Sequence, residues 1–375
     1  MRRLYVVEPG ARVTREGERI RVLVGEQEVE SVRADELAQV VVVGSAGLST
    51  PAMQALLKAG AEVVLLTRNG RFLGRLCSGL SPSARARHCQ YARLQDPTAR
   101  LGFARRVVAG KIANQVRLLR RHQSRLKDPS VASALPRMRQ AGADALTAAD
   151  VDILRGLEGA AAAAYFGVFG RLLKAEGVAF ERRVRRPPPD PVNILLSFGY
   201  TLLGNLVHAA VETAGLDPYL GALHELRAGR PSLVLDLLEE LRPVVVDTAV
   251  LRAFNTRAML PGDFVSITDD APGVEDAWER EAWEAREAAD GAGDASAGEA
   301  GQDGAEPAGP RRSMVLTRVG VKKWIACYER RLEEQAWYEP RGQRLSLREV
   351  AQAQAYRLAR HFEGQEEYTA FESPE

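Results

Sequence analysis

The sequence has few cysteines, no long uninterrupted apolar run and no glycine motif for nucleotides. Its three cysteines, Cys77, Cys89 and Cys327, are scattered among 375 residues. Their number and spacing exclude a disulfide framework and a zinc knuckle, and indicate a reducing, cytoplasmic environment. No apolar run approaches the roughly 20 residues of a membrane-spanning helix, and the apolar stretch near the N-terminus is too short for a signal peptide. Without a P-loop or dinucleotide motif, nucleotide hydrolysis is not expected.

The small formal charge of +2 conceals an asymmetry along the chain. Residues 274–306 contain eleven acidic and two basic residues, so this segment carries −9 and the rest of the chain carries +11. Most of the bases are arginine, whose planar guanidinium suits bidentate contacts with phosphate. A polyanionic partner such as nucleic acid is therefore plausible, although a GC-rich genome would also raise the arginine content.

The apolar pattern divides the chain into a β-rich part and a helical part. Residues 1–78 contain short apolar runs separated by Gly, Glu and Pro, which predicts an N-terminal β-rich domain. Residues 79–90 begin with Ser, Gly and Pro and are expected to be a linker. Residues 91–375 have apolar side chains three and four positions apart, which predicts a helical domain. Within it, the acidic, Gly- and Ala-rich insertion at about 274–311 is expected to be disordered.

Three local signals refine the β-rich part. Residues 39–43 form a continuous apolar run that is typical of a buried strand. Thr50 is a good helix cap, and Pro51 after it suits the first position of a helix. Asn69 and Gly70 between two apolar runs predict a hairpin turn.

The residues best suited to catalysis lie in the helical part. Glu158 lies in an alanine-rich helical run, where small neighbours leave room for its carboxylate to approach another element. His224 ends a short helical turn before a break, and the following helix carries Asp236 and Glu239 on one face. Two carboxylates and an imidazole suit Mn²⁺ or Mg²⁺, and the histidine favours Mn²⁺. Taken separately, however, these residues also fit solvated helix faces and a packed histidine.

Five segments in order resemble the universal CRISPR-associated integrase family, the first of the two core spacer-acquisition proteins. Residues 221–243 (GALHELRAGRPSLVLDLLEELRP) are similar to the family signature. Residues 182–200 (RRVRRPPPDPVNILLSFGY) and 157–166 (LEGAAAAAYF) resemble two further blocks. Residues 43–50 (VGSAGLST) and 60–66 (GAEVVLL) resemble the β-domain of the family. Because the blocks occur in order at plausible distances, the match is specific.

The resemblance covers about residues 1–265 and implies an α+β fold, with an N-terminal β-sandwich-like domain and a larger all-α catalytic domain. It also implies that Glu158, His224 and Glu239 are the catalytic metal ligands for Mg²⁺ or Mn²⁺. Asp236 matches a supporting or alternate acidic position. The acidic insertion at about 274–311 departs from the common pattern, and it fits a solvated linker better than an acidic mimic of DNA.

The implied activity is the joining of protospacer 3′-hydroxyl ends to the repeat boundaries of a CRISPR array by transesterification. The implied partners are double-stranded DNA, a second copy in a homodimer formed through the β-domain, and a dimer of the small second acquisition protein in a heterohexamer. Two alternatives remain open: a metal-dependent endonuclease on branched or double-stranded DNA, and a non-catalytic DNA-binding scaffold. The basic residues expected to contact DNA are Arg182, Arg183, Arg185, Arg186, Arg230, Lys322 and Lys323.

Overall fold

The structure is a computed structural model that describes residues 2–79, 83–185, 188–267 and 313–374. The acidic insertion at about 274–311, together with its expected disorder, therefore lies entirely outside the described residues. The described strands are β1 (Arg2–Val6), β2 (Arg12–Glu16), β3 (Arg19–Val24), β4 (Gln27–Arg33), β5 (Leu37–Val43), β6 (Gly47–Leu48), β7 (Glu62–Leu66), β8 (Phe72–Leu76), β9 (Phe264–Ile267), β10 (Ser313–Leu316), β11 (Gln335–Tyr338) and β12 (Gln343–Ser346). The described α-helices are α1 (Thr50–Lys58), α2 (Ala84–Gln95), α3 (Pro97–Leu126), α4 (Pro129–Ala145), α5 (Val151–Phe169), α6 (Pro191–Thr213), α7 (Ser232–Arg242), α8 (Thr248–Asn255), α9 (Arg318–Leu332) and α10 (Leu347–Phe362).

The N-terminal part contains two four-stranded sheets that share one apolar core. The first sheet has the order β1-β5-β7-β8, in which β1, β5 and β7 are parallel and β8 is antiparallel. The second has the order β4-β3-β2-β6. Buried side chains of both sheets and of α1 form the shared core. The predicted β-rich domain is therefore present.

Strand β5 ends in an unbroken run of four valines because both of its faces are buried. Val40 and Val42 face the core between the two sheets. Val41 and Val43 face the other way and belong to the core of the helical part. Successive side chains of a strand point to opposite faces, so a strand buried on both sides needs a continuous apolar run. This is the buried strand that residues 39–43 predict.

The turn between β7 and β8 docks the first sheet onto the helical part. Gly70 has a φ of 79°, in the left-handed region, as a tight turn at Asn69-Gly70 requires. A side chain at this position would lie 2.3 Å from the ring of Phe198 on α6. The glycine therefore serves both the turn and the close approach of the two parts.

Three sequence predictions about secondary structure need correction. The cap of α1 is Ser49, whose hydroxyl accepts from the backbone of Ala52, so it lies one residue before the predicted Thr50. Helix α2 begins at Ala84, inside the predicted linker at 79–90. The C-terminal part is not all-α, because β9 pairs with β10 and β11 pairs with β12. The predicted helical character of this part is otherwise observed.

Helix α6 is apolar over nearly its whole length because it is a central core helix. It is the one described helix long and apolar enough to span a membrane, contrary to the expectation that no apolar run approaches that length. The share of its most apolar window that is buried inside the protein is 67%. Core helices of globular proteins show the same composition, so length and hydropathy carry little weight here.

A wide π-helical turn connects α7 and α8. Residues Pro243–Asp247 form this turn, so the chain from Ser232 to Asn255 is one continuous helical rod with an extra residue in the middle. Pro243 has no backbone N–H to donate to the preceding turn, which favours a break in the regular pattern. The turn sets the direction in which Asp247 points relative to the acidic residues of α7.

Candidate active site

Helix α3 packs against both α5 and α7, and charged side chains of the three helices meet at one place. Glu158 lies on the alanine-rich α5, and 26% of its side chain is exposed. Lys111 of α3 donates a hydrogen bond to its carboxylate. The small residues around Glu158 allow this close approach of α3 to α5, as the composition of the run indicates.

The loop before α7 is folded around the buried carboxylate of Asp236. The backbone N–H groups of Ala222 and Leu223 donate to Asp236 Oδ2 at 2.6 and 3.1 Å, and that of His224 donates to Oδ1 at 3.1 Å. A side chain at Gly221 would lie 2.7 Å from Asp236 Oδ2, so only glycine fits there. The sequence predicted that His224 ends a short helical turn, but in the structure His224 lies in this loop.

Asp236 also fixes the orientation of the His224 imidazole. The distance from His224 Nδ1 to Asp236 Oδ1 is 2.7 Å. Because a carboxylate only accepts hydrogen bonds, Nδ1 carries the proton and Nε2 of the neutral ring keeps its lone pair. Both oxygens of Asp236 therefore already accept hydrogen bonds within the chain, an arrangement that fits the predicted supporting role.

Arg155 connects the His224 loop to the helix that carries Glu158. Its guanidinium donates to the carbonyl of Leu223 at 3.0 Å and to Glu225 at 3.1 Å. Arg155 lies three residues before Glu158, so the two side chains are neighbours on α5. The positions of Glu158 and His224 are therefore coupled through one arginine.

Glu239 is almost as buried as Asp236 and is surrounded by positive charge. Its Oε1 lies 3.9 Å from His224 Nε2 and accepts from Arg242 at 2.5 Å. Its Oε2 lies 2.6 Å from Lys111 Nζ, but without the geometry of a hydrogen bond. Burial opposes ionisation of Glu239, but Arg242 and Lys111 outweigh this effect and lower its pKa to about 2. Glu239 is therefore a carboxylate at neutral pH.

The three predicted ligands Glu158, His224 and Glu239 lie close together in the structure, but they are not arranged as ligands of one metal ion. Among the described residues, no group of three or more His, Cys, Asp or Glu side chains stands close enough to hold a metal ion. Lys111 lies between the two glutamates. The donors nevertheless fit a divalent cation, because Glu239 Oε2 is buried and accepts no hydrogen bond. A separation of 3.9 Å between Nε2 and Oε1 is also too long for a hydrogen bond and compatible with two ligands of one ion.

A further buried acid, Asp247, lies next to this group. The hydroxyls of Tyr165 and Tyr200 donate to its carboxylate at 2.8 and 2.6 Å. Burial raises the pKa of Asp247 to about 6, and the two hydrogen bonds oppose the shift without cancelling it. The guanidinium groups of Arg183 and Arg242 lie 5.5 and 5.0 Å from the centre of the Tyr200 ring. This network anchors Arg242 and therefore the charge next to Glu239.

The acid that follows Glu239 faces the opposite side of α7. Glu240 accepts hydrogen bonds from Gln354, from the Tyr368 hydroxyl and from the backbone N–H of Phe371. Burial raises its pKa to about 8, against the effect of these donors. Glu240 therefore attaches the C-terminal segment to α7 and does not belong to the catalytic group.

The residues expected to contact DNA have different surroundings. Arg182 and Arg185 are exposed, and Arg185 lies close enough to Glu239 and Glu158 to respond to their charges. Arg183 is turned inward and donates to Asn193 and Ser197, which does not fit the predicted phosphate contact. Arg230 is partly buried.

Of the other three predicted DNA contacts, the structure describes two. Lys322 forms an ion pair with Glu8 and Lys323 with Asp263, so both ammonium groups are neutralised within the chain. Arg186 lies outside the described residues. The predicted DNA contact of all three residues stays a prediction.

Sequence reasoning did not identify Lys111, Arg242, Tyr200 or Asp247. Lys111 lies four residues after Val107 on a buried stripe of α3, and a lysine in such a stripe signals a buried acidic partner. Asp247 ends the apolar run of Val244, Val245 and Val246, where an acid is equally unusual. These two signals were present in the sequence, but the partners of each residue come from distant segments.

Comparisons with known proteins identify a single family. A family model described as "CRISPR associated protein Cas1" matches residues 4–277. The chain is 34% identical over 364 residues to CRISPR-associated endonuclease Cas1 3 of Thermus thermophilus, covering 96% of this chain and 94% of the relative. A solved casposase bound to an integration product is similar in fold, with a TM-score of 0.77, 20% identity and coverage of 100% of this chain and 94% of that one. A Cas6-RT-Cas1–Cas2 complex gives a TM-score of 0.76 at 20% identity, covering 100% of this chain and 36% of that one.

Proposed function

The chain belongs to the Cas1 family of CRISPR-associated proteins, and from this premise we propose that it is a divalent-metal-dependent DNA integrase. Its reaction is the joining of protospacer 3′-hydroxyl ends to the repeat boundaries of a CRISPR array by transesterification. The observation that supports this proposal is the convergence of Glu158, His224 and Glu239 beside one cluster of positive charge. Phosphodiester transfer needs both features, because negative charge accumulates on the phosphate oxygens.

Glu158, His224 and Glu239 would hold the metal, Mg²⁺ or Mn²⁺. When bound, a divalent ion neutralises charge on the phosphate and lowers the proton affinity of the attacking hydroxyl. Other side chains of the protein orient these ligands. Asp236 keeps the proton of His224 on Nδ1, so that Nε2 is available as a ligand.

The arginines at the site suit the binding and orientation of the scissile phosphate. Arg242 donates to Glu239, and its guanidinium is held in place by the ring of Tyr200. Arg185 is exposed beside the same carboxylates. Fixed positive charges of this kind stabilise the developing charge without having to reorganise during the reaction.

The family and the surface of this protein together suggest three binding partners. Double-stranded DNA fits the basic character of the chain outside the acidic insertion. The first sheet ends in β7 and β8, whose exposed apolar residues suit a contact with a second copy of the chain in a homodimer. These residues are Leu65, Phe72, Leu73 and Leu76. A small second acquisition protein that joins two such dimers into a heterohexamer is part of the same proposal, and similarity to a Cas6-RT-Cas1–Cas2 complex supports it.

The site is tested by removing each proposed ligand. Glu158→Ala, His224→Ala and Glu239→Ala should each lower strand transfer of a 3′-hydroxyl DNA end into a repeat-containing target by about 10³-fold or more. Glu176→Ala removes an exposed glutamate of the helical part and should leave the rate unchanged. Circular dichroism would establish that all four variants are folded. Near-wild-type strand transfer by any folded ligand variant would refute the site.

A metal-dependent endonuclease is a second candidate, because the Thermus relative carries the name endonuclease. The same residues would then activate water in place of a 3′-hydroxyl. Donor DNA with a normal 3′-hydroxyl and donor DNA with a 3′-deoxy end separate the two reactions. Products that join donor to target only with the hydroxyl end support integration. Equal cleavage of branched DNA with either end, and no joined product, would favour the endonuclease.

A further inference from the structure

The candidate site already contains a cation supplied by the chain itself. The Lys111 ammonium donates to Glu158 and lies 2.6 Å from Glu239 Oε2. Only 9% of the Lys111 side chain and 3% of the Glu239 side chain are exposed. A buried ammonium is stable only when opposite charges compensate for its lost hydration, and here two carboxylates do so.

The oxygens that pair with Lys111 belong to two of the proposed metal ligands. A divalent ion held by Glu158 and Glu239 needs lone pairs of the same carboxylates. An ammonium that remained in place would also repel the ion strongly, since two positive charges a few ångströms apart interact in a medium of low dielectric. Lys111 and the metal therefore exclude each other from these oxygens.

The contact of Lys111 with the two glutamates also connects three helices. Lys111 belongs to α3, whereas Glu158 and Glu239 belong to α5 and α7. Without a positive charge between them, the two carboxylates would repel each other and separate. Through Lys111, three helices stay in register around the site before any metal is present.

We propose that Lys111 is an intramolecular competitor of the metal ion, which holds the two carboxylates together in the metal-free protein and has to leave them when the metal binds. This inference rests on the proposed metal site. It makes Lys111 a positioning residue that weakens metal affinity in exchange for a stable metal-free site. The metal concentration at which the protein becomes active is then set partly by a lysine.

Calorimetric titration with Mn²⁺ of the full chain tests the inference without an activity assay. Lys111→Met keeps the length and apolar stem of the side chain and removes the charge. It should bind Mn²⁺ at least about tenfold more tightly than the wild type, equivalent to about 1.4 kcal/mol. In EDTA it should unfold at lower temperature than the wild type, because Glu239 loses one of its positive neighbours. Lys111→Arg, which keeps the charge, should stay close to the wild type in both measurements.

A matched control comes from the other partly buried lysine pair. Lys323→Met removes an ammonium on α9 that contacts Asp263 at 2.8 Å. It should leave the Mn²⁺ affinity unchanged. If Lys111→Met does not fold, Lys111→Gln provides the same test with a neutral polar side chain.

The outcomes separate this inference from the proposed function. If the wild type binds Mn²⁺ and Glu158→Gln abolishes binding, the metal site stands. Equal or weaker binding by Lys111→Met would then overturn the competitor role alone. Binding by Lys111→Met where the wild type shows none supports the competitor role. Absence of binding in the wild type and in both neutral variants, up to millimolar Mn²⁺, overturns the metal site and the competitor role together.

Discussion

The most informative substitution outside the ligand set is Asp236→Asn, because it changes one proton and hardly any volume. Asp236 accepts three backbone N–H groups and the Nδ1–H of His224. Asparagine offers one oxygen and one NH₂ group. If its oxygen keeps the bonds from Ala222 and Leu223, the NH₂ group faces His224. His224 Nδ1 must then become the acceptor, and its proton moves to Nε2.

The size of the effect follows from this change of tautomer. An Nε2 that carries a proton has no lone pair for a metal, and loss of a supporting hydrogen bond of this kind typically lowers metal affinity or activity by about 10- to 100-fold. The NH₂ group also faces the backbone N–H of His224, and such an unsatisfied buried donor costs about 1–3 kcal/mol of folding stability. Asp236→Asn should therefore lose both Mn²⁺ affinity and stability.

The assay compares Mn²⁺ affinity by calorimetry and stability by urea unfolding. Ser232→Ala is the matched control, because Ser232 donates to the carbonyl of Glu225 at 2.8 Å and thus supports the same loop without touching the imidazole. It should lower the stability but leave the Mn²⁺ affinity nearly unchanged. Wild-type Mn²⁺ affinity in a folded Asp236→Asn variant would refute the role of the fixed tautomer.

Two further predictions concern pH and salt. The pKa of Asp247 is raised to about 6, so the folded state keeps its proton longer than the unfolded chain does; this stabilisation is present below about pH 4 and is lost as the pH rises to about 6. Relative to Asp247→Asn, urea unfolding should show the wild type losing about 3 kcal/mol between about pH 4 and pH 7, and a constant difference would contradict the pKa shift. For DNA binding, Arg185→Ala should weaken affinity and reduce the slope of log affinity against log salt by about one. Arg19→Ala, an exposed arginine of β3, should change neither, and an unchanged slope for Arg185→Ala would remove Arg185 from the DNA surface.

The sequence predicted elements whose signals are local. An apolar run marked β5, a single dipeptide marked the turn before β8, and the break after His224 preceded the predicted helix that is α7. The spacing of Asp236 and Glu239 placed both acids on one helix. Each of these inferences needs only neighbouring residues, because the backbone pattern and the helical repeat are properties of short segments.

The features that escaped prediction depend on contacts between distant segments. The spacing of Lys111 along α3 cannot reveal that its ammonium meets acids of α5 and α7, more than 40 and 120 residues later. Arg183 belongs to a basic run that predicts an exposed surface, yet its guanidinium points inward and donates hydrogen bonds to Asn193 and Ser197. The small antiparallel pairs β9–β10 and β11–β12 have four residues in each strand, which is too short for a clear alternating pattern.

The extra residue in the rod between Ser232 and Asn255 has a practical consequence for anyone who edits this part of the chain. In a regular α-helix each residue turns the following side chains by about 100°. The wide turn absorbs one such residue, so deletion of a single valine from it should restore a regular helix and leave the side chains of α8 in register. A deletion within α7 would instead turn every later side chain by about 100° and should be far more damaging, and a helix transplanted from another protein must bring its own irregularity with it.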